Sequence, residues 1–110
     1  MAARDGDLVQ GSLDMLVLKA LVWGPRHGYE VMRWIREISG GDLRLEEGAL
    51  YPALHRLAAR GWAEAAWGLS ESGRQAKFYT LTEAGRRHLD VEATSWRRYV
   101  AAVARVLEAS

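Results

Sequence analysis

Hydrophobic residues recur at helical spacing in the first part of the chain. Leu13, Leu16, Val17, Ala20 and Leu21 fall at i, i+3, i+4, i+7 and i+8, one face of a helix predicted over Ser12–Trp23. Ser12 is its expected N-cap. Pro25 cannot continue a helix and biases Gly24 away from helical angles, so Gly24-Pro25 ends it. A second helix is predicted from His27-Gly28 to Ile38, burying Val31, Trp34, Ile35 and Ile38 and wetting Arg33, Arg36 and Glu37; Ser39-Gly40-Gly41 stops it. The third, from Glu47 to Arg60, turns Leu50, Leu54 and Leu57 inward beside Ala53 and Ala58, and Gly61 follows as its terminating residue. Pro52 is read as close to the first turn, where backbone N–H groups lack helical partners, so an irregularity is expected there and not a break.

The pattern then changes period. Trp62–Trp67 and Ala76–Leu81 read as short strands, with residues 68–75 a polar loop carrying Arg74 between them. Thr82 is the expected N-cap of a last helix reaching Leu107. Along it Leu89, Ala93, Trp96, Val100, Val103 and Leu107 are spaced 4, 3, 4, 3 and 4, a heptad seam. A helix of ~25 residues is ~37 Å long, more than a domain this small covers alone, so the seam calls for a second copy of the chain. The predicted class is mainly α with a two-stranded β wing: a winged helix-turn-helix over residues 8–81, followed by a long C-terminal dimerisation helix over 82–108.

Composition narrows the function. The chain has 110 residues, 49% hydrophobic and 26% charged, which fits one folded domain. Without cysteine it has no disulfide, thiolate metal site or cysteine nucleophile. Residues 1–7 are short and polar and do not read as a signal peptide, and no stretch approaches the ~18 apolar residues of a membrane span, so a cytoplasmic protein with no membrane partner is expected. His27, His55 and His88 lie at no metal-ligand spacing. No phosphate-cradling glycine loop, nucleophile elbow or carboxylate pair stands out, so neither an enzyme nor a cofactor is expected. The five tryptophans are expected to pack the core and the dimer seam, and Tyr29 to sit in the core.

A net charge of +1 does not itself announce a nucleic-acid partner, so placement matters. Between Ala49 and Thr80 there are four basic residues, Arg56, Arg60, Arg74 and Lys77, and two acidic ones, Glu64 and Glu71. With its leucines inward, the third helix exposes Tyr51, His55, Arg56, Ala59 and Arg60, with Ala49 and Pro52 at its leading end. Small residues there let backbone approach a duplex, and the cations neutralise phosphates. The same arginines also suit an ordinary solvated face. On this ground a DNA-binding protein and a winged-helix protein-interaction module both remain open.

The runs Gly11–Leu18, His27-Gly28-Tyr29-Glu30, Glu47–Leu57 and Lys77–Gly85 resemble the PadR family of bacterial transcriptional regulators over nearly the whole chain from Leu8. The single C-terminal helix resembles the compact subgroup, and its details the acidobacterial-type branch. The resemblance implies a dimeric winged-helix repressor whose third helix enters the major groove of DNA while the wing touches flanking backbone or minor groove. Tyr51, His55 and Arg56 would then lie at the groove, with Ala49, Pro52 and Arg60 on the same helix and Arg74 and Lys77 on the wing. Ala49 stands where many members carry a hydroxyl, and Gln75-Ala76 where basic residues are common, which weakens the expected wing contact. In one multidrug-sensing branch a tryptophan on the last helix sandwiches flat aromatic ligands across the dimer. Trp96 is the matching candidate for a small aromatic effector, although plain dimer packing suits it equally.

Overall fold

The computed structural model describes residues 3–4 and 10–110. The elements are β1 (Ala3–Arg4), α1 (Gln10–Ala20), β2 (Arg26–His27), α2 (Gly28–Ile38), β3 (Leu43–Arg44), α3 (Glu47–Ala59), β4 (Ala63–Leu69), β5 (Gln75–Leu81) and α4 (Glu83–Leu107). The domain start at Leu8, and most of the polar segment 1–7, lie outside the described residues.

The core forms where three apolar helix faces meet. Leu13, Val17, Leu18 and Leu21 from α1 and its C-terminal turn pack with Val31 and Ile35 of α2 and Leu50, Ala53, Leu54 and Leu57 of α3. Ala63, Tyr79 and Leu89 close it from the hairpin and α4. Burying each leucine contributes roughly 2 kcal/mol, so the spacing of these residues is what selects this packing.

The hairpin β4–β5 is antiparallel, in register from Ala63 opposite Leu81 to Leu69 opposite Gln75. Both strands run further than their composition indicated. The connection shrinks to residues 70–74, closed by Ser70 N–H donating to the Arg74 carbonyl at 2.8 Å. Short β2 pairs with the other edge of β5, so the wing sheet has three strands in the order β2-β5-β4. β4 is an edge strand.

α4 is fixed at its first turn. The Thr82 hydroxyl accepts from Gly85 N–H at 3.0 Å and donates to the Gly61 carbonyl at 2.6 Å, while Thr82 N–H donates to the Trp62 carbonyl at 3.1 Å. Gly85 lies against that carbonyl so closely that a Cβ would collide with it. One turn on, His88 stacks on Trp62 with ring centroids 3.6 Å apart. Beyond this joint α4 runs free. Leu89 is its last buried side chain, and residues 94–101 are all exposed.

Several expectations change. α1 begins at Gln10, which puts Ser12 inside the helix and not at its cap, and it ends at Ala20 with a turn before Pro25. Ile38 is exposed at the end of α2, because the Ser39–Gly41 turn leads the chain away, and Trp34 is half-buried. No tryptophan enters the fully buried core: Trp23, Trp67 and Trp96 are exposed and the other two partly so. Pro52 lies beyond the first turn, and α3 still runs through it without interruption. Leu89, assigned to the dimer seam, belongs to the subunit's own core.

Thr82→Ala removes both the cap and the bond to Gly61. It is expected to lower stability by about 1–2 kcal/mol, with an unchanged denaturant m-value, measured by urea unfolding.

Candidate nucleic-acid interface

A cleft of about 740 Å³ opens between α2, the leading turns of α3 and the inner face of the hairpin. It brings together Tyr51 and His55 of α3 with Arg74 and Lys77 of the wing, four of the residues singled out from sequence. Tyr29, Arg33 and Trp67 join them, none of which sequence reasoning had placed there. Arg60 does not line this cleft. It stands at the C-cap of α3 with its guanidinium over the Trp62 ring, 5.1 Å from the centroid. Ala49 is half-buried and Pro52 exposed near the leading end of α3.

The run His27–Glu30 builds the floor of the cleft. His27 caps α2: its Nδ1 accepts from Glu30 N–H at 3.3 Å, and Glu30 Oε1 accepts from His27 N–H at 3.2 Å. That reciprocal pair satisfies two donors at the helix start. A Cβ at Gly28 would lie 2.8 Å from the Tyr51 ring, so a larger residue there would have to displace the end of that side chain. Tyr51 is also the neighbour of Tyr79. Burial, and then Tyr51, push the Tyr79 phenol above its ordinary 10.0, so it stays a neutral hydroxyl at the base of the cleft.

Tyr29 corrects the expected core assignment. It is 58% exposed, and the Arg33 guanidinium lies 5.8 Å from its ring centroid. Its position on α2 follows from helical geometry: Val31 and Ile35 take the core face, and Tyr29 and Arg33, one turn apart, share the opposite side.

Arg56 corrects a second expectation. Its guanidinium turns toward α1, where Nη2 donates to Asp14 Oδ1 at 2.8 Å. The Asp14 side chain is only 8% exposed, and Arg56 Nε is buried without a partner. A carboxylate in that position is costly unless paired, and Arg56 supplies its pairing from within the subunit. The exposed cations at the cleft are therefore Arg33, Arg74 and Lys77. Glu30, which also lines it, is engaged with His27, and Glu71 lies at the hairpin tip.

Among the described residues no group of three His, Asp or Glu side chains gathers as a metal site. The histidines are otherwise placed: His27 caps α2, His88 stacks on Trp62, and His55 is exposed in the cleft. No helix among the described residues is long and apolar enough to cross a membrane.

Comparison with known proteins fits this geometry. Residues 17–91 match the transcriptional regulator PadR-like family. A Lysinibacillus sphaericus protein called protein X is 28% identical over 90 residues, covering 82% of this chain and 83% of that one. A 37.1 kDa protein in transposon TN4556 of Streptomyces fradiae is 48% identical over 84 residues, 76% of this chain but 23% of that protein's length. Among solved structures, a PadR family transcription regulator from Clostridium difficile superimposes with a TM-score of 0.75 at 28% identity, covering 86% of this chain and 97% of that one. A transcriptional regulator from Clostridium thermocellum shares the fold with a TM-score of 0.80 at 24% identity, covering 90% and 96%.

The inward turn of Arg56 has measurable consequences. Asp14→Ala is expected to destabilise the fold by about 2 kcal/mol, since it leaves a largely enclosed guanidinium without its acceptor. Arg56→Ala should leave the salt dependence of any duplex binding unchanged. A decrease of about one in the slope of log affinity against log salt would return Arg56 to the phosphate contacts.

Proposed function

Because the chain belongs to the PadR-like family of transcriptional regulators, we propose that it is a homodimeric DNA-binding repressor that reads a pseudo-palindromic operator. The observation that carries this reading is the shared opening of α3 and the wing. Tyr51 and His55 face the same cleft as Arg74 and Lys77, so one duplex can meet base-reading and phosphate-binding groups together. The first turns of α3 enter the major groove, with Tyr51, Pro52 and His55 foremost and half-buried Ala49 behind them. Arg74 and Lys77 hold flanking phosphates, and Arg60, at the far end of the helix, is free to reach one further out.

The distal half of α4 supports the dimer. Trp96, Tyr99, Val100, Val106 and Leu107 are exposed apolar side chains on a helix that its own subunit covers only near the start. Water contact over such a stripe is unfavourable, and an identical stripe from a second copy removes it. Ala93 and Val103 complete the seam, which begins after Leu89. A two-fold pair would set its recognition helices about 34 Å apart, or a multiple of that, to match two half-sites on one face of the duplex. A protein-interaction module of the same fold has no need of the cations at the cleft, and would show no salt-dependent affinity for DNA.

Trp96 also offers a place for an effector. It lines a shallow cleft of about 260 Å³ with Ser12, Met15 and Tyr99, and its ring centroid lies 6.0 Å from that of Tyr99. A planar aromatic molecule bound between the α4 helices would alter their spacing, and with it the separation of the two α3 helices.

Two measurements test these statements. The wild-type chain should sediment as a dimer and shift the DNA upstream of its own reading frame. Val100→Asp should yield a folded monomer whose shift is weakened by at least about tenfold, because two charges would face each other in the seam. A monomeric wild type would remove the operator geometry. Titration with planar aromatics should quench tryptophan fluorescence saturably in the wild type and not in Trp96→Phe; equal quenching in both would discard the effector site.

A further inference from the structure

Trp67 is the one large apolar side chain of the wing that the cleft exposes. It is 69% exposed on an edge strand, a position where a bulky aromatic contributes little to folding and invites association. The register fixes where it points. Directly opposed residues share a sheet face, so Ala65 with Tyr79, Trp67 with Lys77 and Leu69 with Gln75 form successive rungs on one side of the hairpin. The Tyr79 rung is buried at the base beside Tyr51 of α3. Trp67 is the next rung outward, about 7 Å along the strand, so it stands over the same opening as Tyr51 and His55. Its cross-strand partner is Lys77, and Arg74 lies in the turn just beyond.

We propose that Trp67 is a DNA-contacting residue, laying its indole against sugar and base edges of the duplex while Lys77 and Arg74 hold the adjacent phosphates. This rests on the DNA-binding reading above and extends it to a group that reads shape and apolar surface, not charge. The juxtaposition argues for a polyanion with apolar surface between its charges, and not for an apolar protein groove. The indole is flanked by a lysine and an arginine, and a third cation, the guanidinium of Arg33, lines the same cleft. Duplex DNA has that alternation: anionic phosphates outside, deoxyribose carbons and base edges between them. Apolar side chains next to phosphate-binding cations are a recurring way to engage it. The contact also accounts for a wing with Gln75 and Ala76 near its tip, where more cations would otherwise be needed.

The test uses the full chain and a duplex selected by the wild-type protein from a random-sequence pool. Affinity is measured across a salt series for wild type, Trp67→Ala, Trp67→Phe and Lys77→Ala. An apolar contact releases no counterions, so Trp67→Ala should weaken binding by about tenfold at every salt concentration with an unchanged salt slope. Trp67→Phe should retain most of the affinity, and Lys77→Ala should lower the slope by about one. Thermal unfolding of Trp67→Ala within about 2 °C of wild type would separate the contact from the fold. Unchanged affinity in Trp67→Ala overturns the proposal while leaving the regulator reading intact. So does a loss accompanied by a flatter slope, which would mean a displaced cation. So does unchanged affinity with an altered sedimentation coefficient, which would place the indole against another copy of the chain. If the wild type itself shows no salt-dependent duplex binding, the regulator reading falls and the Trp67 contact with it.

Discussion

The contact between Gly28 and the Tyr51 ring sets the geometry on which the cleft depends. Two helices of a helix-turn-helix normally keep a side chain's width between them at this point. Here the missing Cβ leaves space for the end of the Tyr51 side chain against the start of α2, and Tyr51 also neighbours Tyr79 of the wing. Three elements meet around this contact: the start of α2, the leading turns of α3 and the base of the hairpin. Widening that joint would separate Tyr51 and His55 from Lys77 and Arg74, which must face one surface together. The buried Tyr79 hydroxyl stays neutral, so the joint carries no charge that would need a counterion.

The same constraint explains what the conspicuous sequence runs do. Three of the four residues in His27–Glu30 are architectural: cap, close approach and cap partner. In Lys77–Gly85, Thr82 and Gly85 fasten α4 to the end of α3 at the Trp62 carbonyl, and Tyr79 is buried in the core. Only Tyr29 and Lys77 in these runs are left exposed at the cleft. The recognisable motifs therefore combine scaffold and surface: Tyr51 and His55 of Glu47–Leu57 open into the cleft with Tyr29 and Lys77, while Arg33, Trp67 and Arg74 lie outside the runs. Fold recognition and site identification rest on different residues of the same segments.

Much of the fold was legible from spacing. α2 and α3 end within a residue of where apolar periodicity and glycine stops placed them, and Thr82 caps α4 as its sequence context indicated. The inward turn of Arg56 has a long-range cause. Asp14 falls one turn before Val17 and Leu18, on the core side of α1, and a carboxylate there demands a cation from elsewhere. That signal was present, but its partner, Arg56, lies on another helix, and nothing local distinguishes it from the wet arginines. Ile38 and Tyr29 went astray for the converse reason. Apolar character alone put them inside, whereas the turn after α2 leaves Ile38 outside and Tyr29 lies across the helix from Val31 and Ile35. Leu89 kept the heptad phase, yet α1 and the hairpin reach it first. Phase along a helix identifies a face; it does not identify which neighbour covers that face.

A division of labour along α4 and the wing follows from where charge is absent. The chain carries a net +1, and one of its α3 arginines is consumed internally by Asp14. With so few free cations, counterion release supplies a smaller share of binding than in strongly basic DNA-binding domains. Affinity must then come from surface complementarity, which needs rigid placement more than attraction at a distance. The structure has the means for such placement. The Tyr51 joint fixes α3 against the wing within a subunit, and the capped, Gly85-pinned start of α4 fixes that unit on the one element long enough to pair with its twin. In the proposed dimer, a shift along the distal part of α4 would pass through this first turn to both recognition surfaces. On the proposed reading, the Thr82–Gly85 turn contributes to DNA affinity through placement, without touching the duplex.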